Sequence, residues 1–233
     1  MKKKIVVLAP HPDDETLGCG GTIAKKISEG FEVFIILVTD GRHAYSKALG
    51  IELNPTPEEL SQIRRQEFIN ATSTLGVPET NLRFLDFEDG TVQKNEKEVE
   101  TRIAGIMKEL QPAEMYFPFK QDSHPDHQAL NRIALHGLRE LGLDCGAYEY
   151  SIMHKYARVG PVAERMASLW KRNMIKVNIS GFLDIKKKAI SQYKSEIPVV
   201  CGKKNSALRR EIEYFIRKDE VFYVARRIGN SHP

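Results

Sequence analysis

Two short clusters in this sequence combine imidazole with carboxylate: His11-Pro12-Asp13-Asp14-Glu15 and His124-Pro125-Asp126-His127. Neutral imidazole and carboxylate together suit a divalent ion such as zinc, and a catalytic zinc has three protein ligands and an open position. His11, one of Asp13 or Asp14, and one of His124 or His127 meet that requirement. Two histidines and a carboxylate also suit iron(II), so the donor set leaves zinc and iron both open. Such a metal brings the pKa of bound water to about 7 and polarises a carbonyl. A left-over carboxylate can take the water's proton, and a left-over histidine can stabilise an oxyanion or protonate a leaving group. Pro12 and Pro125 restrict the residue before each of them, which stiffens both loops.

The elements that would position these clusters are legible around them. Lys4 to Ala9 and Phe31 to Thr39 are continuous apolar runs, as expected of strands buried on both faces. Gly20-Gly21 predicts a helix opening at Thr22 and stopped by Gly30. Strand, helix and strand in so few residues make a βαβ unit, hence a parallel pair. Asp40-Gly41-Arg42-His43 is a turn at the end of the second strand, which makes His43 a weak site candidate. Residues 44–57 read as a loop over the site. Thr56-Pro57-Glu58-Glu59 is a helix start, with a threonine cap, proline in the first turn and acids at the positive end. That helix is expected to reach Leu75 with Ile63, Phe68, Ala71 and Leu75 inward. Strands are expected over 82–87, 113–119, 147–153, 174–179 and 221–227, and helices over 97–110, 126–141, 183–196 and 206–217. The two clusters then lie at the ends of two parallel strands, where open α/β sheets bind ligands. The expected fold is an α/β sandwich with a mostly parallel sheet, built as one domain over residues 1–233.

Bulk properties exclude several classes. The chain has 233 residues, 41% hydrophobic and 28% charged, with a formal charge of +4. The basic runs Lys2-Lys3-Lys4, Lys186-Lys187-Lys188 and Lys203-Lys204 are short and scattered, unlike a nucleic-acid footprint. Cys19, Cys145 and Cys201 are odd in number and widely spaced, which argues for a reducing compartment and no disulfide framework. No apolar run reaches spanning length. A cytoplasmic protein is expected, and a homo-oligomer stays open. His136, His154 and His232 read as structural or solvated.

Pro10-His11-Pro12-Asp13-Asp14-Glu15, Gly18-Cys19-Gly20-Gly21 and His124-Pro125-Asp126-His127 closely resemble the LmbE-like, or PIG-L, family of zinc-dependent N-deacetylases. The resemblance extends to Thr39-Asp40-Gly41, to Arg64-x-x-Glu67 with Leu75-Gly76-Val77, and to Lys188-Ala189-x-x-x-Tyr193. It implies a Rossmann-like three-layer α/β/α sandwich and removal of acetyl from N-acetylglucosamine-type conjugates. It implies zinc on His11, Asp14 and His127, with Asp13 as general base on the zinc-bound water. His124 would stabilise the tetrahedral intermediate or protonate the amine, Asp126 would orient His124, and Arg64 would contact substrate. Ser195-Glu196 replaces a Ser-Gln pair of many members, and Asp122 an aromatic residue of some. Both positions are expected to bear on substrate preference rather than on zinc. The competing readings are an amidase for another amide such as a thiol conjugate, a non-catalytic sugar or metal binder, and a nucleotide-binding module. The last is disfavoured because Gly18 to Gly21 lacks the G-x-G-x-x-G pattern and follows acids that would repel a pyrophosphate.

Overall fold

The computed structural model describes residues 2–44, 55–152, 173–195 and 213–226. Its strands are β1 (Lys4–Ala9), β2 (Glu32–Thr39), β3 (Leu82–Phe87), β4 (Glu114–Pro118), β5 (Gly146–Tyr150), β6 (Met174–Asn178) and β7 (Asp219–Arg226). They form one sheet in the order β3-β2-β1-β4-β5-β7-β6. The first five are parallel to one another, while β7 pairs antiparallel with both β5 and β6. The helices are α1 (Asp14–Ser28), α2 (Pro57–Thr74), α3 (Glu96–Leu110), α4 (Pro125–Glu140) and α5 (Leu183–Ile190).

Alternation along β1 divides the interior. Val6 and Leu8 join Val99, Ile103, Leu130 and Ile133 of α3 and α4 on one face. Ile5, Val7 and Ala9 join Ile23, Phe68 and Ala189 of α1, α2 and α5 on the other. A sheet covered on both faces explains the uninterrupted apolar runs of β1 and β2. Truncating a buried ring such as Phe68 would cost about 3–5 kcal/mol. The chain winds from β1 outward through β2 and β3, then returns to β4 on the opposite side of β1. The topological switch point thus falls between β1 and β4, and the loops leaving their carboxyl ends carry the two clusters.

Several expectations need correction. α1 begins at Asp14, not at Thr22. Asp14 and Glu15 occupy its first turn, where the positive helix end favours acids. The glycines lie inside the helix because other elements press on it. A Cβ at Gly18 would stand 2.4 Å from the Tyr150 ring, and one at Gly21 would stand 2.3 Å from Ile179. A buried ion pair meets the same stretch. Glu220 accepts the N–H groups of Gly21 and Thr22 at 2.8 Å each, and Lys186 Nζ donates to Leu17 O at 2.8 Å and to Glu220 at 2.6 Å.

In α2 the expected Thr56 cap forms, and Glu59 completes a capping box, each accepting the other's N–H. Ile63, however, is 42% exposed, while Arg64 and Glu67 face inward. Their buried partners, described below, outweigh the helical apolar pattern. α5 ends at Ile190 rather than at Glu196, and Glu196 lies outside the described residues. Residues 45–54 of the expected loop, 206–212 of the expected last helix, His154, Cys201 and His232 also lie outside them. Cys19 and Cys145 are buried free thiols. No helix among the described residues is long and apolar enough to cross a membrane.

Candidate metal centre

The first loop is short. β1 ends at Ala9, and Thr39 fixes Pro10 by donating its N–H and its hydroxyl to Pro10 O at 3.0 and 2.8 Å. Asp13 follows as the N-cap of α1 with φ +119°, and its side chain makes no capping hydrogen bond. A non-glycine backbone there costs on the order of 1–3 kcal/mol and persists only when its surroundings enforce it. They do. Arg64 donates to Pro12 O at 2.5 Å and to Gly41 O at 3.2 Å, and its Nη2 lies 3.7 Å from Asp13 Oδ2. Glu15 accepts the Asp13 N–H at 3.2 Å. Gly41 has φ +65°, and a Cβ on it would lie 2.8 Å from Pro12 Cδ and 3.0 Å from Arg64 Nε. Glycine alone lets the three segments meet.

The second loop is regular. Pro125 opens α4, and His124 caps it in an extended conformation, its Nδ1 accepting the Asp126 N–H at 3.2 Å. His127 falls in the first turn of α4. Across the switch point, His11 Nδ1, Asp14 Oδ2 and His127 Nε2 form a triangle with sides of 3.2, 3.2 and 3.3 Å. Tetrahedral zinc with nitrogen and oxygen ligands near 2.0–2.1 Å places ligand atoms about 3.3–3.4 Å apart. The donor set and its spacing fit such an ion. His124 stands beside it, its ring centroid 4.5 Å from that of His11 and 5.3 Å from that of His127. Asp13 immediately precedes Asp14, and its Oδ2 lies 3.7 Å from Arg64 Nη2.

Carboxylates stand behind both imidazoles. His11 Nε2 faces Asp89 Oδ1 at 3.1 Å and Asp126 Oδ2 at 3.2 Å. Asp126 is fully buried and accepts the N–H groups of Gly90 and Val92 at 2.8 and 3.0 Å. Its expected partner was His124, but only its backbone N–H meets that ring, because the turn after β3 draws the carboxylate toward His11. His127 Nδ1 lies 3.0 Å from Asp122 Oδ2. Asp122 therefore belongs to the donor cluster and not to a position tuning substrate alone. Asp89 escaped the sequence reading, and Asp122 was read only as a position bearing on substrate preference. The available signal was position: Asp89 is in the turn at the carboxyl end of β3, and Asp122 follows β4 two residues before His124.

Arg64 is 3% exposed, and its guanidinium holds the Pro12–Asp13 segment rather than facing solvent where a substrate would meet it. Glu15 is fully buried and accepts the hydroxyls of Thr16 and Tyr193 as well as the Asp13 N–H. It ties the loop to the segment after α5. Glu67 does the same for Ser195, accepting its N–H at 2.7 Å and its hydroxyl at 2.6 Å. His43 is at the exposed rim, with Nε2 2.9 Å from Glu88. His136 is a surface residue beside Glu100.

Electrostatics separates these groups. Burial opposes ionisation of Asp14, but the imidazoles of His127 and His11 outweigh it and hold the carboxyl well below the usual range. Burial likewise opposes charge on His127, yet Asp14 and Asp122 push it up to about 9. Asp89, despite burial, is held at about 2 by His11, with help from Arg64 and His124. Burial and the neighbouring His11 and His127 keep His124 below the ordinary histidine value. Its Nδ1 accepts a hydrogen bond, so the neutral ring carries its proton on Nε2. Burial raises Glu15 to about 7.

A doubly wound sheet whose switch point gathers imidazoles and carboxylates at spacings that could hold a metal ion has the parts of a metal-dependent hydrolase. The family is equally plain. Residues 6–138, more than half of the chain, match the family model described as PIG-L: GlcNAc-PI de-N-acetylase, and the chain belongs to that family. A probable N-acetyl-α-D-glucosaminyl L-malate deacetylase 2 of Bacillus cereus is 27% identical over 199 residues, covering 84% of each chain. The N,N′-diacetylchitobiose deacetylase of Pyrococcus horikoshii superposes with a TM-score of 0.72 at 24% identity, over 95% of this chain and 83% of that one. The 4-carboxy-2-hydroxymuconate hydratase of Pseudomonas putida shares the fold at a TM-score of 0.72 and 17% identity, over 99% of each chain. One architecture thus carries a hydrolase and a hydratase, and function has to be argued from the site.

Proposed function

We propose that this protein is a zinc-dependent N-deacetylase that removes acetyl from an N-acetylated amino sugar, of the N-acetylglucosamine-conjugate type. The observation that carries the reading is the triangle of His11, Asp14 and His127, with the His124 ring beside it. Zinc held by these three would polarise the amide carbonyl and make water nucleophilic near neutral pH. Iron(II) suits the same donors. The chain's own groups carry the protons. Asp13 takes a proton from the attacking water, and its constrained backbone aims the carboxylate. His124, neutral and protonated on Nε2, donates to the oxygen of the tetrahedral intermediate or to the departing amine. The C–N bond breaks, acetate leaves, and the amine departs with the proton. Asp126 backs His11 and steadies the His124 turn through its N–H. Arg64 serves by holding Pro12 and Asp13.

The reading takes residues 1–233 as one domain acting in the cytoplasm on a small molecule or glycoconjugate, as monomer or homo-oligomer, without nucleic acid. The scattered basic runs and widely spaced cysteines support it. The test is an acetate-release screen over N-acetylglucosamine conjugates and larger amides, with metal content measured on the same sample. Acetate release in step with about one zinc per chain is expected of a three-ligand site. Full activity in metal-free protein would overturn the metal role. Cleavage of larger amides without acetate release would move the substrate to the thiol-conjugate class. Sugar binding by zinc-loaded protein without turnover would make it a binder.

A further inference from the structure

We propose that Asp122 is a positioning residue for the metal: it fixes the ring and tautomer of His127 and thereby sets how tightly the site holds zinc. The proposal rests on the reading of His11, Asp14 and His127 as the metal donors. Asp122 has no exposed surface. Its Oδ2 lies 3.0 Å from His127 Nδ1 and also accepts the Ile152 N–H at 3.0 Å. Its Oδ1 accepts the Ser151 hydroxyl at 2.5 Å. With Nδ1–H donated to Asp122, the lone pair of His127 is on Nε2, the atom 3.2 Å from Asp14 Oδ2 and 3.3 Å from His11 Nδ1.

The three partners of Asp122 come from two strand ends. His127 is in the first turn of α4, which follows β4, whereas Ser151 and Ile152 follow β5, the next strand in the sheet. Asp122 thus references the metal ligand to the neighbouring strand and not merely to its own loop. The ring cannot tilt without breaking a buried hydrogen bond to a carboxylate, and such a loss is costly inside a protein. The negative charge behind the ring also makes the opposite nitrogen a better donor to a cation. His11 has Asp126 and Asp89 in the corresponding place, so both imidazoles of the triangle are backed in this way.

The test measures zinc affinity by chelator competition on the full chain, for wild type, Asp122→Asn, Asp122→Ala and Ser151→Ala. Removal of a carboxylate behind a zinc-bound histidine lowers affinity about 10–100-fold. Asp122→Ala is expected near the upper end and Asp122→Asn near the lower. Ser151→Ala, which keeps the carboxylate, should lose less than either. A second readout is the visible spectrum of the cobalt(II)-loaded protein, where Asp122→Asn should shift the bands because the ligand field at His127 changes. If Asp122→Ala does not fold, Asp122→Asn and Ser151→Ala still decide the matter. A wild type that binds zinc while Asp122→Asn binds within about twofold of it, with an unchanged cobalt spectrum, overturns the proposal. A wild type that binds no zinc overturns the donor assignment beneath it.

Discussion

The loops after β1 and β4 leave neighbouring parallel strands, enter helices within a few residues, and supply the two sides of one donor triangle, yet they are built on opposite plans. The loop after β4 is relaxed: His124 is extended, Pro125 opens the helix, and the capping side chain is itself the candidate proton donor. The loop after β1 is constrained: Asp13 has φ +119°, and no capping bond from its own side chain helps it. Support comes from Arg64 and Gly41, far along the chain, and from neighbouring Glu15, which distant Tyr193 holds in turn. The difference teaches where pre-organisation is located. In the second loop it is local and encoded in four consecutive residues. In the first it is tertiary and has to be assembled.

The sharpest break of this comparison is kinetic. Asp13→Asn should lower turnover about 10²–10⁴-fold with zinc content unchanged, the range for loss of a general base. His124→Ala should cost about 10²–10³-fold, the range for loss of one donor to a developing oxyanion. Steady-state rates with metal analysis on the same samples check both, and a reversed order would place the heavier duty on the relaxed loop.

A smaller effect separates the helix starts by pH. The Glu15 carboxyl is at about 7 in the fold against an ordinary 4.5, so the native chain binds its proton more tightly than the unfolded chain does. Its stabilising contribution is therefore fully present below 4.5 and lost as pH rises through about 7. The shift corresponds to about 3 kcal/mol. Urea unfolding of metal-free protein at about pH 5 and about pH 8 should show this loss in the wild type and not in Glu15→Gln.

Smaller still is the backbone term. Asp13→Gly should stabilise the chain by about 1 kcal/mol through relief of the left-handed strain while abolishing turnover. Pro125→Ala should destabilise by about 0.4–1 kcal/mol, from added freedom of the unfolded chain, and leave turnover nearly unchanged. Melting curves and rates for these two variants would show strain in one loop and none in the other.

The same contrast governs how far the sequence could be read. Apolar runs are local signals, and β1, β2 and β4 fell within a residue of the runs over 4–9, 31–39 and 113–119. The Thr56-Pro57 start of α2 and the second cluster at the head of α4 were equally local. The start of α1 was not. Gly20-Gly21 suggested a helix opening at Thr22, whereas Gly18 and Gly21 lie inside the helix and make room for Tyr150 and Ile179, far along the chain. Ile63 satisfied a helical apolar stripe, but burial of Arg64 and Glu67 turned α2 the other way. The donor triangle could be narrowed from the residues alone to His11 with two either-or choices. Which carboxylate stands behind which imidazole depends on three loops converging, and no spacing in one segment records that.

The ion pair between Lys186 and Glu220 adds a matter of timing. Every donor of the triangle has been synthesised by residue 127, but the pair that grips α1 at Leu17, Gly21 and Thr22 lies on α5 and β7. Chains emerge from the ribosome N-terminus first. A growing chain thus owns all three side chains proposed to bind metal well before it owns the clamp on the helix that begins at Asp14. Glu220 sits on β7, the strand between β5 and β6, so the clamp on α1 is complete only in a chain that includes that strand.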